Sequence, residues 1–324
     1  MLFCFSKKLV QSKAVFLNEE GRFFVIRCSF LPEFSIFAKS YHRKTMRMKN
    51  VLMTLLCMLA ISLGAMADND LTVVEIEVEK EQKGGSTHEW VHFPTGADSP
   101  VRRAVIDFIF HCMQSFSNAD IAYPSNTCDE KVFKTFLNHY ADSLCRFCSE
   151  DQQEYAAYCA ESGVVYEVPW FRNFSIQKVA ETSRYVSYAC YDGEFCGGAH
   201  DNRGSVARSF RKSDGAAIDI FVDDDDLTDR MQGILWKYLV ASDEAGDAED
   251  FVKEIGDFLE ANYGNRERLH LGSTIFLAPD GVHLQYAPLE ISFWAMGDQE
   301  IVIPYPAAKP FLTAEAARLA GIVK

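Results

Sequence analysis

FSIQKVAETSRYVSYACYDGEFCGGAHDNRGSVARSFR, residues 174–211, decides the fold. Side chains alternate through Ser175–Ala180, Arg184–Tyr191 and Ser205–Arg211, the period of two that a strand imposes. Short polar breaks at Glu181–Ser183 and at Ser213-Asp214-Gly215 supply turns, so the segment reads as consecutive antiparallel strands. Ala216–Ile220 continues the alternation and is expected to add another strand.

Outward toward the N-terminus, Leu71–Glu79 alternates Val74, Ile76 and Val78 against Glu75, Glu77 and Glu79, a half-buried strand. A Gly84-Gly85 turn leads into a second alternating run, Thr87–Phe93, closed by Pro94. Ser99-Pro100 opens a helix with Val101, Val105, Phe108, Ile109, Cys112 and Phe116 on one face. Phe133, Leu137, Tyr140, Leu144 and Phe147 mark another helix. Toward the C-terminus come helices at about 227–241 and 249–263, with 242–250 as the loop between them. Strands Thr274–Leu277, Val282–Tyr286 and Glu300–Ile303 come last. The expected class is α+β: an antiparallel sheet with helices packed on one face, an α/β sandwich.

The front of the chain is different. Residues 48–67, MKNVLMTLLCMLAISLGAMA, have a basic start, an apolar run and a closing Ala65-Met66-Ala67. That is the layout of a secretory signal peptide. Cleavage is expected near Ala67, with an extracytoplasmic location for the mature chain. The apolar run is short of the roughly 20 residues a membrane span needs, so no span is expected in the mature chain. Residues 1–47, without clear periodicity, read as a mis-assigned or disordered extension. Residues 68–164 form an N-terminal α/β segment and 165–324 the C-terminal domain.

The whole chain carries a net charge of −14. Residues 1–67 hold 10 Lys/Arg and 3 Asp/Glu, which leaves 22 basic and 43 acidic residues beyond them, a net of −21. A surface so acidic excludes nucleic acid as a partner and favours a basic one. Seven cysteines remain after residue 67: Cys112, Cys128, Cys145, Cys148, Cys159, Cys190 and Cys196. In an oxidising compartment all are disulfide candidates, and the odd number leaves at least one unpaired.

Three motifs suggest chemistry. His88-Glu89-Trp90-Val91-His92 fits H-E-x-x-H, which binds zinc when its histidines share a helix face. Here the flanks predict a strand, which would hold the two histidines about 13 Å apart. Cys145-Arg146-Phe147-Cys148 sits at the C-terminal end of its expected helix, where the dipole opposes thiolate, so it reads as structural. Asp223–Asp226 precedes a helix and is expected to cap it. Gly197-Gly198-Ala199-His200, between two strands, reads as a structural turn whose glycines permit positive φ. No cofactor fingerprint or phosphate loop is present in the sequence.

A resemblance rests on the order of these pieces. Tyr188–Tyr191, Gly197-Gly198-Ala199-His200, the Asp214-Gly215 turn and Ile218–Val222 form one half. Phe276–Gly281, Gln285–Ile291, Gly297 and Ile301–Tyr305 form the other. Together, over about 165–315, they resemble the RsiV-like C-terminal domain superfamily, which includes the lysozyme-sensing extracytoplasmic part of the anti-sigma factor RsiV. The resemblance implies an α/β sandwich with a non-catalytic binding or sensing role. It also implies a basic, lysozyme-like protein or a cell-wall component as partner. A hydrolase using His88/His92 or His200 is the alternative.

Overall fold

The computed structural model describes residues 13–17, 23–27, 70–115, 121–242 and 248–322. The chain divides into two units, Met1–Asp68 and Asn69–Lys324. In the first, β1 (Lys13–Leu17) and β2 (Phe23–Arg27) pair antiparallel with Val15 opposite Val25. The expected signal peptide at 48–67 and the rest of 1–47 lie outside the described residues.

The second unit begins with the hairpin read from the alternating runs. β3 (Val73–Gln82) and β4 (Gly85–Pro94) pair with Ile76 opposite Val91 and Val78 opposite Glu89. Helices α1 (Pro100–Ser115) and α2 (Glu130–Glu161) come next. Because these two helices separate β4 from β5 (Trp170–Glu181), β5 returns parallel to β4. The other pairs of this five-stranded sheet are antiparallel. It is completed by β6 (Tyr185–Phe195) and β7 (Asn202–Arg211) in the order β3-β4-β5-β6-β7.

A second sheet is built from β8 (Thr274–Ala278), β9 (Gly281–Tyr286) and β10 (Gln299–Ile303), all antiparallel. Strand parity assigns the layers. Val91, Phe93, Phe174, Ile176, Val186 and Tyr188 face α1 and α2 in one core. Leu277, Leu284, Ile301 and Ile303 face α3 (Leu227–Ser242) and α4 (Ala248–Tyr263) in a second. Between the sheets lies a thin layer of Ala180, Ala189, Ala207, Phe276 and Ala278. The class is α+β as expected, and helices cover one face of each sheet. The short helices α5 (Tyr305–Ala308) and α6 (Ala314–Leu319) close the second core.

Two expectations need correction. Ala216–Ile220 is not a strand. It makes a single bridge, Ala217 to Phe210, before Ile218 and Ile220 plunge into the second core. Its alternation reflects one-sided burial without a ladder partner. Helix α2 does not end near Cys148 but runs on to Glu161, stopped by Ser162 and by Gly163 at φ +75°. Its last turns are largely exposed, so they carry no apolar stripe to read, yet no Gly or Pro interrupts them. Its start is capped as such starts usually are: the Asp129 carboxylate accepts the Val132 N–H at 2.9 Å.

The sheets are fastened by hydroxyls. Strand β8 is an edge of its sheet, and its outward Leu277 N–H and C=O are buried against β6 and β7. Ser209 Oγ accepts from Leu277 N at 3.0 Å, Ser187 Oγ donates to Leu277 O at 2.7 Å, and the two hydroxyls lie 2.8 Å apart. Ser209→Ala strands the Leu277 N–H in a dry interface. A loss of about 1–3 kcal/mol in urea unfolding is expected, against under about 0.5 kcal/mol for an exposed serine such as Ser273→Ala.

Candidate functional site

The second sheet packs on the first through Ala180 of β5, Ala189 of β6 and Ala207 of β7, and a groove of ≈ 790 Å³ lies beside it. Its floor is the uncovered face of the five-stranded sheet. That face presents His88 and Trp90 from β4, Asn173, Ser175 and Gln177 from β5, and Tyr191 from β6. Its wall is the near edge of the second sheet, with Gln285 from β9, Glu300 from β10, and Asp298 just before it. Asp201 and Arg203 close one end.

A hydrogen-bond chain fixes floor to wall. Tyr191 OH donates to Gln285 Oε1 at 2.8 Å, and Gln285 Nε2 donates to Glu300 Oε1 at 3.0 Å. His283 reaches the same Glu300 oxygen through Nδ1 at 2.9 Å and Asp280 through Nε2 at 2.9 Å. Burial opposes charging of His283, but the two carboxylates outweigh it and raise its pKa. The hydrogen bond with His283 in turn lowers the pKa of Glu300 and of Asp280. The Pro279-Asp280-Gly281 turn therefore does more than reverse the chain: it supplies one side of a carboxylate–imidazolium–carboxylate clamp behind the groove wall.

The predicted turn Gly197-Gly198-Ala199-His200 lies at the closed end. Gly197 and Gly198 have φ of +90° and +109°, conformations that side chains rarely adopt. The His200 ring stacks on Trp294 with centroids 5.3 Å apart and planes at 17°. The Arg203 guanidinium sits 5.8 Å from the Trp294 ring and bonds Asp201 at 2.8 Å. This stack ties the β6–β7 loop to the short 3-10 turn Trp294–Met296 of the second sheet.

His88 and His92 do share a strand, β4, and diverge to separate partners. His88 Nε2 bonds Glu77 at 2.8 Å, while His92 Nδ1 accepts the Lys178 N–H at 3.2 Å. Burial lowers the pKa of His92. Among the described residues no group of three or more His, Cys, Asp or Glu side chains is arranged to hold a metal ion. Asp224 of the acidic run folds back, accepting the Asp226 N–H at 3.0 Å and pairing with Arg230. The seven cysteines beyond residue 67 are thiols in the structure. Cys145 and Cys148 lie mid-way along α2, not at its end, because the helix is longer than its apolar stripe. Both are buried, and burial raises both thiols, Cys148 to about 11. Burial also raises Cys128 and Cys196. Cys159 sits on the outer half of α2.

Sequence reading missed the charges under the sheet. Glu89 has the parity of Val91 and Phe93, so it points at the helices and is fully buried. Thr87 donates to one carboxylate oxygen, and the other has no partner. Burial lifts its pKa from 4.5 to about 8, opposed by the Thr87 bond. Asp192, across β5 on the same face, is lifted by burial from 3.8 to about 7 despite Arg172 nearby. Arg172 is committed to Glu194, its Nε donating at 3.1 Å. Parity alone could have found Glu89, had the H-E-x-x-H pattern not drawn attention to its histidine neighbours.

Comparison with known proteins supplies family context. Residues 218–306 match the model of DUF3298, a family described as proteins of unknown function. A solved DUF3298 structure from Bacteroides fragilis is 16% identical and superposes with a TM-score of 0.54, covering 78% of this chain and 97% of its own. A second, from Pseudomonas aeruginosa, is 14% identical with a TM-score of 0.50, covering 77% and 97%. At these identities the likeness is one of fold. A search of curated proteins found no match. Among the described residues no helix is long and apolar enough to cross a membrane.

The buried acids make stability depend on pH in a defined sense. Both folded-state pKa values lie above the ordinary carboxylate range, so the native state holds extra protons between about pH 4 and pH 8. Stability is then full below the unfolded values and is lost as pH rises through 7 and 8. Urea midpoints should decline from pH 5 to pH 9. Glu89→Gln, neutral at every pH and able to keep the Thr87 contact, should flatten that decline and exceed wild type at pH 9.

Proposed function

We propose that this chain is a secreted or periplasmic, non-catalytic binding or sensing domain whose groove takes a basic protein of lysozyme type. The observation that carries the reading is the groove itself: an aromatic floor of Trp90 and Tyr191 walled by Asp201, Asp298 and Glu300. Asp298 is 66% exposed and Glu300 44%, so both carboxylates face an approaching partner. The guanidinium at the end of the groove, Arg203, pairs with Asp201 at 2.8 Å and reaches Asp298 at 3.8 Å, so one cation is shared by two wall carboxylates. An acidic, partly apolar trough suits a lysine- or arginine-bearing loop, whose stem packs on rings while its charge meets carboxylates.

Three further points support it. The net charge of −21 beyond residue 67 steers basic proteins toward the surface. The order of motifs over 165–315 resembles the RsiV-like superfamily, which includes a lysozyme sensor. The leader-like 48–67 would deliver the chain to the compartment where such a ligand is met. In this reading His88, His92 and His200 are structural: each is engaged with a neighbouring carboxylate, backbone group or ring.

Calorimetry of the chain from Asp68 onward with lysozyme tests the proposal. Binding should be measurable at low salt and weaken roughly tenfold or more on raising salt to about 0.3 M. Asp298→Lys should weaken it a further 5- to 10-fold or so by reversing one wall charge. No binding at low salt sinks the protein partner, and salt-insensitive binding to isolated cell-wall polymer would redirect the reading there. Secretion is checked separately, by N-terminal sequencing of exported protein for a start at Asp68.

A further inference from the structure

We infer that the outer end of helix α2 and the connector behind it form a docking surface for an arginine- or lysine-bearing segment of a partner protein, separate from the groove. Exposed apolar and aromatic side chains concentrate there: Tyr155, Tyr158, Val164, Val165 and Val168, with Tyr158 67% and Val165 82% exposed. Local hydrogen bonds gather them into one patch. The Val164 N–H donates to the Cys159 carbonyl at 3.0 Å, which turns the chain back after the helix. Gln152 Nε2 donates to the Val168 carbonyl at 3.2 Å, which lays the connector along it. Tyr166 then meets Tyr155 edge-on with ring centroids 4.9 Å apart, and Trp170 lies 5.7 Å from Tyr155. Trp170 Nε1 donates to Tyr166 OH at 3.2 Å, so a buried indole holds both tyrosine rings in place.

Charge identifies the occupant. Phe147–Phe171 contains Glu150, Asp151, Glu154, Glu161 and Glu167 and no lysine, arginine or histidine. Tyr158 stands one helical turn from both Glu154 and Glu161, so its ring lies between two carboxylates on the helix surface. Cations close by are committed elsewhere, Arg172 to Glu194 and Lys80 to Asp142. Among the described residues Glu154, Glu161 and Glu167 have no ion-pair partner. A second copy of this chain would bring the same five acids against these, and like charge opposes that pairing. An arginine suits both parts of the patch: its guanidinium stacks on a tyrosine ring while its charge meets the carboxylates. An apolar neighbour in the same segment would cover Val164 and Val165. None of the residues in this patch lines the groove, so neither site depends on the other.

The probe is a short labelled peptide alternating arginine and leucine, with a peptide carrying glutamate in place of arginine as its counterpart. Each is titrated into the full chain and followed by fluorescence anisotropy and by backbone hydrogen exchange. The arginine peptide should bind, slow exchange over 155–168, and weaken roughly tenfold when salt is raised to about 0.3 M. The glutamate peptide should not bind. Tyr158→Ser with Val165→Ser should abolish the protection over 155–168 and weaken that binding roughly tenfold. Glu154→Lys with Glu161→Lys should do the same. A lysine at 161 is favoured by the helix C-terminus, so that loss does not report a melted helix. Asp298→Lys, which reverses a charge on the groove wall, should leave the protection over 155–168 unchanged. A failed groove interaction and a failed patch are thereby told apart. No protection of 155–168 by the arginine peptide, or equal binding of the glutamate peptide, overturns the assignment. So does a dimer, or attachment to phosphatidylcholine vesicles, that Tyr158→Ser with Val165→Ser abolishes, since either puts a second copy or a membrane on the patch.

Discussion

Strand β8 is a buried edge, and the rest of the second unit is arranged around satisfying it. An edge strand presents backbone groups that need partners, and in a dry interface each unpaired one is costly. Here the partners are side chains. Ser187 and Ser209, one from each of two neighbouring strands of the first sheet, meet both the N–H and the C=O of Leu277. Thr274 adds a hydroxyl contact to Ser205 at 2.6 Å, and Tyr305 donates to the Ala278 carbonyl at 2.6 Å. Alanines on the facing strands let the two backbones approach closely enough for such short links.

That seam determines where the groove is. The second sheet is three strands wide and is pinned over β6 and β7, so it cannot also cover β4. The uncovered stretch of β4, β5 and β6 becomes a floor, and the β9–β10 edge becomes a wall. The His283 clamp then stiffens that wall by holding Glu300 and Asp280 together across the hairpin. Carboxylates on the wall are thus positioned by the same strands whose apolar faces bury the second core.

The opposite face of the first sheet is built differently. Glu89, Asp192 and Arg172 lie beneath α2, where an all-apolar layer would ordinarily sit. The raised pKa values of the two acids are what make their burial tolerable, since an isolated buried charge would protonate before it persisted. Close approach of the helix is part of the same arrangement. A Cβ on Gly85 would come within 2.5 Å of the Ser149 backbone nitrogen, so β4 begins with the only residue that fits there.

Local pattern was enough to read the elements and the class. Period-two runs mark every strand described in Asn69–Lys324, although β5 begins at Trp170 and not at Ser175, and apolar spacing marks the four long helices. The pattern misleads where periodicity and pairing separate. Ala216–Ile220 alternates but pairs at a single bridge, Ala217 to Phe210, and the second half of α2 is helical without an apolar face. Tyr185–Cys190 is buried on both faces, a consequence of helices on one side and a second sheet on the other. The division into two sheets came only with the packed fold. So did the meeting of Asp298 and Glu300 with Trp90 and Tyr191 in one groove. Those residues are separated by long stretches of chain, and local periodicity reports which face a side chain takes, never which distant face will cover it.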